Sequence, residues 1–375
     1  MRLDPDVSLV RQHVSAHFLG LDGLRGVAAL VVLYLHAVLT FRISYLPGTA
    51  SLAVDFFFML SGFVLGYAYD GRLQEGLAWQ DFMRVRLIRL YPTLFFGSVL
   101  GAIIFLAAQH HLHSGLTSAW MIVGSFLMLP VGVTAGDLIA YPLNIAYWSL
   151  FFEIIANAVY ATNWGRRPPY TLSLAVLSFA LATAVMTFAS RPYIQNGVTS
   201  SEFLWGFVRV AYPFAAGLLL YRLRHRWVRI SHWRIITGSC WWLAAAILAV
   251  VLMLPIENPW CDLALSFVVF PLLIIVTASL NLSTATAHVC TMLGRLSYPV
   301  YILHWPIYRL LNGTTERLRL NIAPWMLTLT GVVAAILLAQ VTLTMWDEPV
   351  RRWLSARPRS MQFHYGYTFR RIRKS

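Results

Sequence analysis

The sequence predicts an all-α, polytopic transmembrane bundle of about ten spans. Three observations lead there. Hydrophobic residues make up 58% of the 375-residue chain and charged residues 12%, against about 25% charged in soluble domains, and the mean hydropathy is +0.65. The apolar residues fall in runs of about 20, the length a helix needs to cross a bilayer. Period-two alternation is absent, which argues against a membrane β-barrel.

The expected spans, in order, are 18–40, 52–69, 90–108, 143–163, 170–189, 203–221, 235–254, 262–280, 296–312 and 322–346. The run 118–133 is apolar but short and broken by Gly124, Pro130 and Gly132, so it reads as a re-entrant or interfacial element. With the N-terminus inside, the inner segments carry 22 Lys and Arg and the outer ones 5. That bias puts both termini in the cytoplasm, and an eleventh span would turn the arginine-rich 222–234 loop outward. The expected organisation is a cytoplasmic tail at 1–17, a membrane domain at 18–346 and a basic cytoplasmic tail at 347–375. The first apolar segment is too long for a cleaved signal. Arginine in 28 positions against one lysine suggests a bacterial source, hence a multi-pass protein of the cytoplasmic (inner) membrane. The net charge of +14 sits in short loops, which argues against a nucleic-acid partner. Cys240, Cys261 and Cys290 have neither metal nor disulfide spacing.

Ionisable residues inside apolar segments are costly, so each marks a candidate site. In the first span, Arg25 and His36 are eleven residues apart. They lie within about 20° of one helix face and roughly 16 Å apart along the axis, with Asp22 near the same stripe. In the second, Asp55 sits at the depth of His36, where an acid can orient an imidazole. Ser61 and Gly62 suit close helix packing. Arg86 and Arg89 share a face at the inner mouth of the third span; arginine forks suit phosphate, and the positive-inside bias alone also explains them. Pro92 perturbs the helix just beyond. In the fourth span, Ser149, Glu153 and Asn157 recur every four residues as a polar stripe. Glu153 is either a functional carboxylate or a structural link between helices. The ninth carries a second stripe, Ser297, Tyr301, His304 and Tyr308, in which His304 suits substrate binding or a satisfied core position equally. His110, His111 and His113 have no local acid or cysteine, and no metal site is expected. No phosphate-loop, dinucleotide or zinc-protease motif occurs.

Taken together, these runs resemble the acyltransferase-3 family of bacterial integral-membrane O-acyltransferases. The resemblance rests on Arg25 with His36, VDFFFMLSGF at 54–63, RLIRLYP at 86–92, WSLFFE at 148–153, GRLSYPVYILHWP at 294–306 and DEPVRR at 347–352. It implies a ten-helix core that takes an acyl group from cytoplasmic acyl-coenzyme A and transfers it to a hydroxyl, usually of a sugar, at the outer side. His36 matches the family's essential histidine, Arg25 its paired arginine, and Arg86 and Arg89 its donor-side arginine pair.

The expected function is therefore a membrane O-acyltransferase moving an acyl group, acetyl by preference, from acyl-CoA to a hydroxyl of an envelope or exported glycan or lipid-linked glycan. A hydroxyl needs a general base. His36 is the candidate base, with Asp55 or Glu153 as orienter; an acyl-histidine relay is the variant mechanism. Arg25, Arg86, Arg89, Ser149, Tyr301 and His304 are the expected substrate-binding residues. Acyl-CoA is a co-substrate and no resident cofactor is expected. The alternatives are a transporter or lipid flippase, which also has buried charges but often paired interrupted helices, and the same chemistry with a succinyl or longer acyl donor.

Overall fold

Apolar stretches of this length fold as helices because a bilayer offers backbone groups no other partner. The computed structural model describes residues 18–108, 115–135, 138–162, 167–190, 193, 196–226 and 240–356. Among the described residues the named elements are all helical, with no named strand and one isolated bridge, Ile139 to Thr199. The helices are α1 (Leu19–Phe41), α2 (Ala53–Gln74), α3 (Trp79–Ala108), α4 (Gly115–Phe126) and α5 (Val131–Ala135). They continue with α6 (Tyr147–Ala161), α7 (Pro169–Ala189), α8 (Trp205–Arg222), α9 (Cys240–Leu252) and α10 (Pro259–Ala278). The last two are α11 (Thr284–Arg317) and α12 (Pro324–Ser355).

Local chemistry sets several boundaries. Proline occupies the first turn of α7, α10 and α12, where a missing N–H costs nothing. Ser283 caps α11 by accepting from the Thr286 N–H at 3.2 Å. Arg42 ends α1 in the left-handed region at φ 57°.

One interior proline of α11 leaves a carbonyl that a side chain satisfies. Pro306 cannot donate to the Ile302 carbonyl one turn back, and the Asn144 amide donates to it instead at 2.9 Å. At Pro92 of α3, the α12 indole of Trp346 donates to the proline carbonyl at 2.8 Å, and Thr93 donates to Asp347 at 2.8 Å. The DEPVRR run thus begins by clamping α12 onto the perturbed stretch of α3.

Two helix pairs are packed most extensively, α1 with α11 and α2 with α8. The second is held by reciprocal glycines. A Cβ on Gly62 would lie 2.0 Å from the Phe214 carbonyl oxygen, and one on Gly217 would lie 1.9 Å from that of Met59. The backbones therefore touch, as small residues allow in membrane bundles.

Each of the ten expected spans overlaps a helix, but the described residues contain six long and apolar enough to cross a membrane: Leu19–Phe41, Ala50–Gln74, Trp79–Ala107, Pro169–Ala189, Pro259–Ala278 and Pro324–Ser355. The count of ten is thus not reproduced by length and apolarity. Four of the expected spans fall short of that measure. α6 has only 15 residues, and α9 only 13, the start of its expected span lying outside the described residues. α8 and α11 carry the arginines, histidine and other polar groups that lower their hydropathy. The run at 118–133 forms α4, a left-handed turn at Met128 (φ 53°) and the short α5. The tails 1–17 and 357–375, His110, His111 and His113, and most of the 222–234 loop lie outside the described residues.

Gly62→Ala should remove folded protein, because its Cβ meets backbone rather than a movable side chain. Gly71→Ala has nothing within 4 Å and should be neutral or stabilising by up to about 1 kcal/mol. Thermal unfolding of both variants in detergent checks the pair.

Candidate active site

The polar stripe of α6 meets α2 and α3. Glu153 Oε1 accepts from Arg86 Nη2 at 3.1 Å and from Ser61 Oγ at 2.7 Å. The Asn157 amide oxygen, turned to the same guanidinium, accepts from Arg86 Nε at 3.2 Å. Nearby, Arg25 donates from Nε to Ser297 Oγ and from Nη2 to the Gly294 carbonyl, both at 2.9 Å, and pairs with Asp22 at 3.0 Å. One turn of α1 is thereby riveted to α11.

These groups border an inner cavity of about 100 Å³ whose lining includes Arg25, Arg86, Arg89 and Glu153 with the rings of Phe57 and Phe58. Three guanidiniums face one carboxylate, so the cavity favours an anion, and arginine forks suit phosphate. The two α3 arginines differ in employment. Arg86 is buried and engaged by Glu153, whereas Arg89 is exposed and has no ion-pair partner among the described residues. Sequence reasoning treated them as equivalent; burial separates them.

Toward the other end of α1, His36 meets His304 of α11. His36 Nδ1 lies 2.8 Å from His304 Nε2, with the rings 15° from parallel. His304 Nδ1 lies 3.3 Å from the Val300 carbonyl oxygen. A carbonyl only accepts, so His304 carries its proton on Nδ1 and, when neutral, accepts at Nε2. His36 must then donate from Nδ1, which leaves the lone pair on its Nε2. His36 lines an outer cavity of about 470 Å³, together with Arg42, Ser51, Trp148, Trp305 and Arg309.

The two cavities share Val54 and Tyr301 in their linings. Tyr301 is fixed there by a 2.6 Å hydrogen bond with Ser149 Oγ. Ser149 and Tyr301, each expected to bind substrate, thus form one polar bridge in the wall between the two spaces.

Asp55 sits elsewhere than expected. Its hydrogen-bond partners are Arg209 of α8 and Tyr193, not His36: Arg209 Nε and Nη2 reach Oδ2 at 3.2 and 3.1 Å, and the Tyr193 hydroxyl donates to Oδ1 at 2.9 Å. Burial and the adjacent carboxylate push the Tyr193 phenol well above its usual range, so it remains a donor. Arg209 also donates to the carbonyls of Ser51 and Asn196 at 2.8 and 3.1 Å and stacks over Trp148 at 4.8 Å. A guanidinium at the depth of Asp55 outcompetes a neutral imidazole for the carboxylate. Glu153, the other proposed orienter, is likewise held by Arg86 and Ser61. The position facing His36 belongs to His304.

Sequence reasoning missed Arg209, Tyr193, Trp148, Trp305 and Asn144. Two of them left a signal. Asp55 and Arg209 are single opposite charges in separate apolar segments, which must pair, and Pro306 announces an orphan carbonyl. Tyr193, Trp148 and Trp305 stand among many aromatics and left none. Among the described residues no cluster of three or more His, Cys, Asp or Glu could hold a metal.

A family model described as "Acyltransferase domain" matches residues 18–344. A curated relative, named protein 2 in picA locus, from Rhizobium radiobacter, is 37% identical over 188 residues, covering 47% of this chain and 96% of that protein. No solved structure matches.

The Asp55–Arg209 pair is buried on both sides, at 3% and 1% exposure, so breaking one side leaves an uncompensated charge. Arg209→Met should cost about 3–5 kcal/mol of stability, and adding Asp55→Leu should recover most of it. Asp55→Asn should lower the yield of folded protein while leaving turnover per folded molecule nearly intact. Unfolding curves and rates normalised to folded protein check this double cycle; a selective fall in turnover would return Asp55 to the chemistry.

Proposed function

This chain belongs to the acyltransferase-3 family and is an acyltransferase of multi-pass membrane type, and we propose that it moves an acyl group, acetyl by preference, from acyl-CoA at the arginine-lined inner cavity to a sugar hydroxyl at the outer cavity. The observation that carries this reading is the wall common to both cavities, Val54 and Tyr301. A donor whose phosphates lie at Arg25 and Arg89 can pass its thioester along Phe57 and Val54 toward His36. An acceptor reaches the same imidazole from the opposite end of α1. The positive-inside bias assigns the Arg89 end to the cytoplasm and the His36 end to the outside of the bacterial inner membrane.

The tautomer derived above supplies the chemistry. In the direct route, His36 Nε2 removes the acceptor proton as the oxygen attacks the thioester carbonyl. The C–S bond breaks, and the imidazolium returns the proton to the departing thiolate. In the relay, Nε2 attacks first and the thiolate leaves. The acceptor oxygen then displaces the imidazole from the acyl group, and its proton ends on the thiolate. Both routes give an ester and a free thiol. In both, positive charge develops on His36, and His304 Nε2 accepts the Nδ1 proton throughout. His304 is therefore a positioning residue, in the place usually held by a carboxylate in such triads. Arg86 pairs with Glu153 and keeps the inner wall assembled, and Ser149 holds Tyr301 at the passage.

His36→Ala should reduce transfer by about 10²–10⁴ or more while folded protein still accumulates. His304→Phe should reduce it by about 10–100-fold, because His36 keeps its nucleophilic nitrogen but loses the partner that fixes its tautomer. Rates of acyl transfer by purified, folded variants check this order; a near-normal His36→Ala enzyme would remove His36 from the mechanism.

A further inference from the structure

The outer cavity has a chemical character of its own. Its described lining contains three arginines, Arg42, Arg209 and Arg309, and no carboxylate. Arg209 is neutralised by Asp55. Arg42 stands at the end of α1, exposed and without an ion-pair partner among the described residues. Trp305 lines the same cavity beside the reacting imidazole. Its ring stands edge-on to His36, centroids 5.8 Å apart, and its Nε1–H is buried with no hydrogen-bond partner among the described residues. A buried donor without an acceptor is costly and calls for an explanation. A ligand oxygen would satisfy it. Hydroxyls and an amide stand at Thr40, Ser51, Thr199 and Asn312 in a lining that, apart from the arginines and His36, is otherwise aliphatic and aromatic.

Resting on the acyltransferase reading above, we infer that the acceptor is an anionic sugar, its carboxylate or phosphate held at the mouth by Arg42 and a ring oxygen or hydroxyl taken by Trp305 Nε1 beside His36. The aromatic face and the row of neutral polar groups suit a sugar ring. The guanidinium without a counter-charge suits an acid carried on that sugar or on the unit next to it. A neutral glycan would leave Arg42 without a counter-charge and lose the charge-assisted contact. Uronic acids and glycosyl phosphates both supply the required chemistry.

Calorimetry on the full chain in lipid nanodiscs tests this with four probes: a short polyuronate, the same oligosaccharide methyl-esterified at its carboxyls, a glycosyl phosphate, and glycerol phosphate lacking a sugar. At least one of the two anionic sugars should bind saturably, and the ester about tenfold or more weaker. Which anionic sugar binds better identifies the source of the charge. Arg42→Gln should weaken the anionic sugar about tenfold and the ester little. Trp305→Phe should weaken both severalfold, since the ring remains and the N–H is lost. Equal binding of acid and ester, an unaffected Arg42→Gln variant, or glycerol phosphate binding as tightly as the sugars would each overturn the inference. Acyl-CoA titrated into wild type and into Arg89→Gln tests the donor reading separately. Donor binding weakened by Arg89→Gln with no preference for anionic sugars sinks only the acceptor class. Selective sugar binding with no acyl-CoA binding sinks the donor assignment and leaves this one standing.

Discussion

The seam between α1 and α11 organises the molecule. Arg25 ties to Ser297 and Gly294 near one end, His36 to His304 further along, and the Tyr308 hydroxyl to the Leu33 carbonyl at 3.1 Å. Every contact joins a polar group of one helix to a polar group of the other in an apolar setting, where an unmatched group is expensive. A slip of one residue along either helix would break all of them together. The seam therefore fixes where an arginine cluster stands relative to an imidazole, and with that the separation of two cavities and the wall they share.

Paired charges extend the same constraint through the rest of the bundle. Asp55 with Arg209 joins α2 to α8, Arg86 with Glu153 joins α3 to α6, and Asp70 with Arg222 joins α2 to α8 again at 2.7 Å. Such pairs contribute little net stability, because desolvation offsets most of the attraction. Their effect is on specificity, since each of these carboxylates makes its ion pair with one guanidinium of another helix. The backbone contact at Gly62 and Gly217 brings α2 and α8 close enough for the two pairs, one toward each end of α2, to form. Arg89 at one end and Arg42 at the other line the two cavities without an ion-pair partner among the described residues.

Much of this was legible in the chain. Helical spacing alone put Arg25 and His36 on one face and aligned the stripes at Ser149, Glu153, Asn157 and at Ser297, Tyr301, His304, Tyr308. In the structure these three surfaces converge. Their partners were not legible, because pairing depends on the rotation and height of one helix against another, which a single sequence does not encode locally. Asp55 illustrates the limit. Its depth matched both His36 and Arg209, and only the tight α2–α8 contact decides for the arginine. Span number was obscured in part for a related reason: α8 and α11 are polar because they carry buried charged and polar groups, while α6 and the described α9 are short. The acyl donor and acceptor were implied by resemblance; the cavities give that implication a geometry.

The central claim is that donor and acceptor reach one histidine from opposite ends of α1. The most direct measurement reconstitutes the full chain in sealed vesicles of one orientation, with acyl-CoA only at the face bearing Arg89 and a hydroxyl acceptor only at the face bearing Arg42. Acylated acceptor should form without either substrate crossing the bilayer, and a His36→Ala protein should form none. Product that appears only when both substrates share one face would contradict the two-cavity arrangement.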